Sequence, residues 1–167
     1  MVAPIVLRSG AASLCRAPAA PQRLCVIDGT HLMYRLHFAL PPLSTAAGTP
    51  THAVLGFCNK LIHFSSQFQG HAFVVAMDQA GQTQRHELLP EYKAQRKSVP
   101  PALARQLEVV RSACEAFEIP ILSEVGYEAD DLCATAVAAA TAAGAERVVV
   151  ITSDKDLLQA CLPARQA

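Results

Sequence analysis

The chain has 167 residues, of which 51% are hydrophobic and 17% are charged, and its 14 basic side chains balance its 14 acidic ones. This length suits one domain, and the composition is too apolar for a disordered chain and too evenly charged for a uniformly basic nucleic-acid-binding protein. Charged residues or prolines interrupt every apolar stretch before it reaches the ~18 residues of a membrane-spanning helix, so we expect no membrane partner.

Residues 1–23 differ in composition from the rest of the chain. They contain three arginines among Ala, Ser and Pro, and no acidic residue precedes Asp28. This composition is typical of an organelle transit peptide, so we predict a leader over residues 1–23, although a disordered leader or a misplaced start codon would also account for it. The six cysteines form no C-x-x-C pair, which favours a reducing, intracellular compartment. We expect a mitochondrion or plastid if the leader is a transit peptide, and the cytoplasm otherwise. We expect the folded domain to cover residues 24–167.

From residue 24 onward, short apolar runs alternate with amphipathic segments. The predicted strands are residues 24–27, 72–77, 119–122 and 148–152, and the predicted helices are residues 52–67, 102–117 and 129–143. Thr51 is placed to cap the first helix, whereas the basic stretch 84–100 contains no predicted element. Strands that alternate with helices indicate βαβ units, and therefore an α/β fold with a mainly parallel sheet flanked by helices.

Acidic side chains follow the predicted strands directly or begin the helix after them. Because ligands of an open parallel sheet bind beyond the carboxyl ends of its strands, we expect these carboxylates to meet at one edge. The seven residues are Asp28, Asp78, Glu128, Asp130, Asp131, Asp154 and Asp156. So many carboxylates repel one another unless cations lie between them, and Mg²⁺ or Mn²⁺ suits an all-oxygen ligand set. Two such ions can activate a water and stabilise the leaving oxygen of a phosphodiester.

Each of these carboxylates also has a purely structural interpretation. Those that follow strands would be turn residues or helix caps, and those at 128–131 would complement a helix dipole. Four strand ends that all carry acids favour the metal interpretation. Because Glu128 and Asp131 are three residues apart, we expect them to share a helix face, with Asp130 pointing elsewhere toward a different ion.

Several motifs occur in an order that is specific in combination. They are V-I-D-G-T-H-L-M-Y-R at 26–35, L-P-P-L at 40–43, G-T-P-T at 48–51, M-D-Q-A-G at 77–81, P-E-Y-K-A-Q-R at 90–96, G-Y-E-A-D-D at 126–131 and T-S-D-K-D-L at 152–157. Over about residues 24–160 the chain resembles the N-terminal part of the 5′-3′ exonuclease (5′-nuclease) domain of bacterial-type DNA polymerase I and its flap-endonuclease relatives.

This resemblance implies a PIN-like α/β fold and hydrolysis of DNA near a 5′ end, at flaps, nicks or ends, with two Mg²⁺ or Mn²⁺ ions. It implies a first metal site made of Asp28, Asp78, Glu128, Asp130 and Asp131, and a second to which Asp154 and Asp156 contribute. It also implies that DNA is bound by Arg35, Tyr92, Lys93 and Arg96. Of these, Lys93 and Arg96 would act in catalysis, by stabilising charge on the phosphate in the transition state.

The resemblance also has a limit. The family continues with a second pair of aspartates and a helix-turn-helix element, both absent from the 167 residues here. We therefore expect a truncated domain with weakened activity, unless a polymerase or a second chain supplies the missing C-terminal part. Two alternatives stay open: a catalytically impaired module that only binds nucleic acid, and a PIN-type ribonuclease, because metal chemistry alone does not distinguish DNA from RNA.

Overall fold

The computed structural model describes residues 21–89, 91–93, 95 and 98–160. Most of the predicted leader and Arg96 therefore lie outside the described residues. In chain order the elements are β1 (Arg23–Asp28), α1 (Gly29–Ala39), α2 (His52–Gln67), β2 (Ala72–Ala76), α3 (Gln84–Leu88), α4 (Pro101–Ala116), β3 (Ile121–Leu122), α5 (Ala129–Ala142), β4 (Arg147–Ile151) and a 3₁₀ helix (Lys155–Ala160).

The four strands form one parallel sheet in the order β3-β2-β1-β4. Ile27 of β1 is in register with Val75 of β2 and with Ile151 of β4, and Asp28 is in register with Ala76. Parallel strands in register end at the same edge of the sheet. The α/β architecture expected from the sequence is confirmed, and the residues that follow β1, β2 and β4 emerge side by side.

Helices cover both faces of the sheet. Alternate residues of β1 point to opposite faces, as the pleat of a strand requires. Ile27 packs in a core with Phe57 of α2 and Leu103 of α4, whereas Val26 packs in a second core with Cys133 of α5. The long apolar helices thus hold the sheet between two layers and leave its carboxyl edge to the polar residues.

The predicted bounds of the elements agree closely with the structure. The helix over residues 52–67 is found as predicted, β3 is two residues shorter than predicted, and every other predicted bound is within one residue. Three elements were missed: α1, α3 and the 3₁₀ helix. None of the helices in the described part of the chain is long and apolar enough to cross a bilayer.

The N-cap of α2 is the predicted residue, but the capping hydrogen bonds come from elsewhere. Thr51 occupies the N-cap position, but its side chain makes no capping hydrogen bond. The fully buried side chain of Gln106, from α4, replaces it: its Oε1 accepts hydrogen bonds from the N–H groups of Ala53, at 2.8 Å, and Val54, at 3.3 Å. These N–H groups have no partner within their own helix, so a residue far along the chain supplies the acceptor they need.

Candidate metal centre

Three acidic side chains at the start of α5 form a compact cluster. Glu128, Asp130 and Asp131, here called the acid triad, each offer a carboxylate oxygen within 4.8 Å of the others. Glu128 is the N-cap of α5, and its backbone N–H donates to Asp131 Oδ2 at 3.1 Å. A helix N-terminus favours negative charge, so the sequence E-A-D-D can gather three acids there.

One detail of the sequence interpretation is wrong. Asp130 does not point away from its neighbours, because its carboxylate belongs to the same cluster as those of Glu128 and Asp131. Side chains in a helix lean toward its N-terminus, so in the first turn a residue can reach back over the helix end. The rule that residues three apart share a helix face, with the residue between them elsewhere, applies to the interior of a helix. It does not hold in the first turn of α5.

Asp78 lies next to the acid triad. Its Oδ1 accepts a hydrogen bond of 2.7 Å from the backbone N–H of Ala129, in the first turn of α5, and its own N–H donates to Thr30 of α1 at 2.8 Å. Desolvation raises the pKa of the Asp78 carboxyl, and the charges of Glu128 and Asp130 raise it further. Asp78 therefore ties the end of β2 to two helices, through its carboxylate to α5 and through its backbone N–H to α1, and it adds a fourth acid to the site.

Asp28 is the most buried acid of the site, with 4% of its surface exposed. Its Oδ1 accepts from the N–H of His31 at 3.1 Å, which caps α1, and its Oδ2 accepts from the hydroxyl of Thr152 at 3.1 Å. Burial raises the pKa of Asp28, and the charge of Asp78 adds to that effect. Asp28 is thus a helix cap and also a neighbour of the other acids.

Asp154 and Asp156 lie at the same end of β4 but have other partners. The N–H of Asp154 donates to Thr152 Oγ1 at 3.0 Å, and the N–H of Asp156 donates to Asp154 Oδ1 at 3.0 Å. Among the described residues, the group of three acids whose carboxylate oxygens all lie within 4.8 Å of one another is the acid triad, which does not include these two. The structural interpretation, in which Asp154 caps the helical turn that contains Asp156, accounts for the contacts seen.

Arg85 binds all three members of the acid triad. Its Nη1 contacts Glu128 Oε2 and lies 3.4 Å from both carboxylate oxygens of Asp130, while its Nη2 lies 2.6 Å from Asp131 Oδ1. Although partial burial disfavours its charged form, Asp130 and Asp131 raise the pKa of Arg85. The sequence interpretation assigned Arg85 no role, since it stands in the basic stretch without a predicted element, and no motif set it apart from its neighbours.

Lys93 and Tyr92 approach the acid triad from the same basic stretch. Lys93 Nζ lies 2.5 Å from Glu128 Oε1, and the Tyr92 hydroxyl donates to Glu128 Oε2 at 3.1 Å. Burial alone would raise the pKa of Glu128, but the hydrogen bond and charge of Lys93, followed by Tyr92 and Arg85, hold it below its ordinary value. Lys93 also has a φ of 57°, a left-handed conformation that is uncommon for a residue with a side chain.

The predicted DNA-binding residues are distributed unevenly. Tyr92 and Lys93 lie at the acid triad, as described above, and Arg96 lies outside the described residues. Arg35 is exposed on α1. At a rise of 1.5 Å per residue, it lies about 9 Å along the helix axis from Gly29, which is at the sheet edge.

The donor set of the acid triad fits a hard divalent cation. All its ligand atoms are carboxylate oxygens, two more carboxylates lie beside it, and ions such as Mg²⁺ and Mn²⁺ prefer such donors. The site therefore combines an acidic cluster that can hold a metal with basic side chains that can meet an anion.

Comparisons with known proteins point to one family. Residues 23–165 match the family described as 5′-3′ exonuclease, N-terminal resolvase-like domain. DNA polymerase I of Pseudomonas aeruginosa is 42% identical over 136 residues, which are 81% of this chain and 15% of the polymerase. A 5′-3′ exonuclease of Aquifex aeolicus is 38% identical over 136 residues, which are 81% of this chain and 47% of the exonuclease.

Solved structures support the same fold. T5 5′-exonuclease, with divalent metal ions (zinc) bound, superposes with a TM-score of 0.60 at 22% identity, over 84% of this chain and 52% of its own. The bacteriophage T5 flap endonuclease, in a complex with DNA and metal ions, superposes with a TM-score of 0.55 at 22% identity, over 81% of this chain and 50% of its own. The chain thus spans about half the length of these nucleases and 15% of the polymerase.

Proposed function

Because this chain belongs to the 5′-3′ exonuclease family, through its N-terminal resolvase-like domain, we propose that it acts as a divalent-metal-dependent nuclease on DNA at 5′ ends or flaps. The observation that carries the proposal is the acid triad, whose three carboxylates converge at the carboxyl edge of the sheet. Hard cations bound among carboxylates are a common device for cleaving phosphodiesters.

In this proposal two Mg²⁺ or Mn²⁺ ions are held by the acids of the sheet edge. The acid triad with Asp28 and Asp78 would hold one ion, and Asp154 and Asp156 would contribute to a second. When bound, such ions lower the pKa of a coordinated water and stabilise negative charge on the phosphodiester. The hydrogen bonds from Ala129 to Asp78 and from Thr152 to Asp28 hold two of these carboxylates in place for that role.

The basic side chains around the site would bind the DNA backbone. Lys93, whose ammonium group now pairs with Glu128, would donate to the phosphate that is cut and stabilise its charge in the transition state. Arg96 would act beside it, Arg35 would contact a neighbouring phosphate, and Tyr92 would add an aromatic surface next to the ammonium of Lys93, which lies 5.0 Å from its ring centroid. The names of two relatives, a 5′-3′ exonuclease and a flap endonuclease solved with DNA, support this class of substrate.

A second candidate function is a catalytically impaired module that binds nucleic acid without cutting it. The observation that favours it is the position of Asp156, whose N–H donates to Asp154 and whose carboxylate is not among the clustered oxygens of the described residues. A polymerase or second chain that completes the site, and an organellar location, are further proposals that we draw from the sequence.

The test is cleavage of a 5′-labelled DNA flap in Mg²⁺ by the wild-type chain and by Asp130→Asn, with Glu146→Gln as the control. Glu146 pairs with Arg23 at the opposite end of the sheet, so its loss should leave cleavage unchanged. Asp130→Asn should reduce cleavage by about 100-fold or more, comparable to the loss of a charge contact in a transition state. Wild-type binding without cleavage would support the impaired module, and equal cleavage by Asp130→Asn would refute the proposed site.

A further inference from the structure

The guanidinium group of Arg85 lies among the three carboxylates of the acid triad. In the described structure every carboxylate oxygen of the acid triad already accepts a hydrogen bond or a charged contact, and Arg85 supplies it for four of the six oxygens. The other two oxygens, Glu128 Oε1 and Asp131 Oδ2, accept from Lys93 and from the backbone N–H of Glu128. The guanidinium group thus offsets part of the negative charge that a metal would otherwise offset.

The neighbouring structure holds Arg85 over the triad independently of those ion pairs. It lies in the first turn of α3, and the N–H of Gln84 donates to the carbonyl of Gly126 at 2.9 Å. The side-chain amide of Gln84 also donates to the hydroxyl of Tyr127 at 3.0 Å. Because the Gly126–Tyr127 segment leads directly into α5, these bonds fix α3 beside the helix end that carries the triad.

The contacts of Arg85 and those of a divalent ion exclude each other. A planar guanidinium spans two carboxylates with two parallel hydrogen bonds, which here join Glu128 and Asp131. About a third of the Arg85 side chain is exposed, so water screens its ion pairs with the triad only in part. A doubly charged ion within reach of the same oxygens would be repelled by the guanidinium and would compete with it for lone pairs.

We propose that Arg85 is a built-in substitute cation: it holds the acid triad together without metal and must leave it before a divalent ion binds. This inference rests on the proposed function, because it assumes that the triad is a metal site. Arg85 is then a positioning residue that sets the affinity for metal. Removing it should make metal binding tighter, the reverse of what loss of a supporting residue does.

The experiment measures Mn²⁺ affinity without DNA, by the electron paramagnetic resonance signal of free Mn²⁺. The samples are the full chain as wild type, Arg85→Gln and the control Arg23→Gln, which removes an arginine paired with Glu146 far from the triad. Arg85→Gln should bind Mn²⁺ about tenfold more tightly, the effect of losing one charge-assisted contact, and Arg23→Gln should match wild type. Equal or weaker binding by Arg85→Gln would overturn the inference.

A second measurement uses the wild type alone and decides the matter if Arg85→Gln does not fold. Hydrogen exchange at the Arg85 side-chain N–H groups, followed by NMR, should be slow without metal and at least tenfold faster with saturating Mg²⁺. Unchanged exchange in a chain that binds Mg²⁺ would refute the release of Arg85 and leave the proposed function intact. If neither wild type nor Arg85→Gln binds a divalent ion, both the proposed function and this inference are wrong.

Discussion

The buried side chain of Gln106 offers a sharp test of how this fold is held together. Its Oε1 accepts from the N–H groups of Ala53, at 2.8 Å, and Val54, at 3.3 Å, at the start of α2, and none of the side chain is exposed. Gln106→Met keeps the length of the side chain but removes the acceptor. The buried N–H of Ala53 and the partly buried N–H of Val54 then lose their acceptor. A buried N–H without a partner costs about 1–3 kcal/mol.

We therefore expect Gln106→Met to lower the free energy of unfolding by about 2–4 kcal/mol, after allowance for the apolar surface that methionine adds. Urea denaturation followed by circular dichroism measures this value, and Gln67→Met, an exposed change at the end of α2, is the matched control. Adding Thr51→Asp to Gln106→Met should recover about 1 kcal/mol, because a local cap then meets the same N–H groups. A loss below 1 kcal/mol, or no recovery from the added cap, would refute the reasoning.

Two further predictions concern stability. Gly29→Ala should destabilise the protein by about 1–3 kcal/mol in urea, because its Cβ would come within 2.5 Å of Met77 and Val75 side-chain atoms; an unchanged midpoint would contradict the close packing of α1 on β2. His37 shares a hydrogen bond of 3.0 Å with His52, and burial, then the charge of His52, lowers the pKa of His37. Since a His with a lowered pKa stabilises the fold only while neutral, stability should be complete above the unfolded pKa of ~6.5 and should decline as pH falls below it. His37→Gln should decline less between pH 7.5 and 5.5, and an equal decline would exclude His37 as the cause.

The parts of the fold that depend on local pattern could be predicted from the sequence. Apolar runs such as Val26–Ile27 mark strands because both faces of a parallel sheet are buried. The acids that follow strands could be placed at one edge because parallel strands end together. Asp28 and Asp78 do lie there as neighbours of the acid triad.

The features that the sequence did not predict correctly depend on contacts with residues far along the chain or on the geometry of a helix end. The hydrogen bonds that cap α2 come from Gln106, 53 positions from Ala53, rather than from the side chain of Thr51 at the N-cap, and nothing in the sequence near Thr51 indicates this. Arg85 meets the acid triad across 43 to 46 positions. Asp130 was misplaced because the spacing rule for helix faces was applied to the first turn, where side chains reach back over the end.

The most direct test of the account is where a divalent ion binds. Crystals of the chain soaked in Mn²⁺ should give an anomalous scattering peak whose nearest protein atoms are carboxylate oxygens of Glu128, Asp130 and Asp131, with the Arg85 side chain displaced from them. A map with no peak at this edge of the sheet, or with its peaks only at other residues, would contradict the claim that these acids form a metal site.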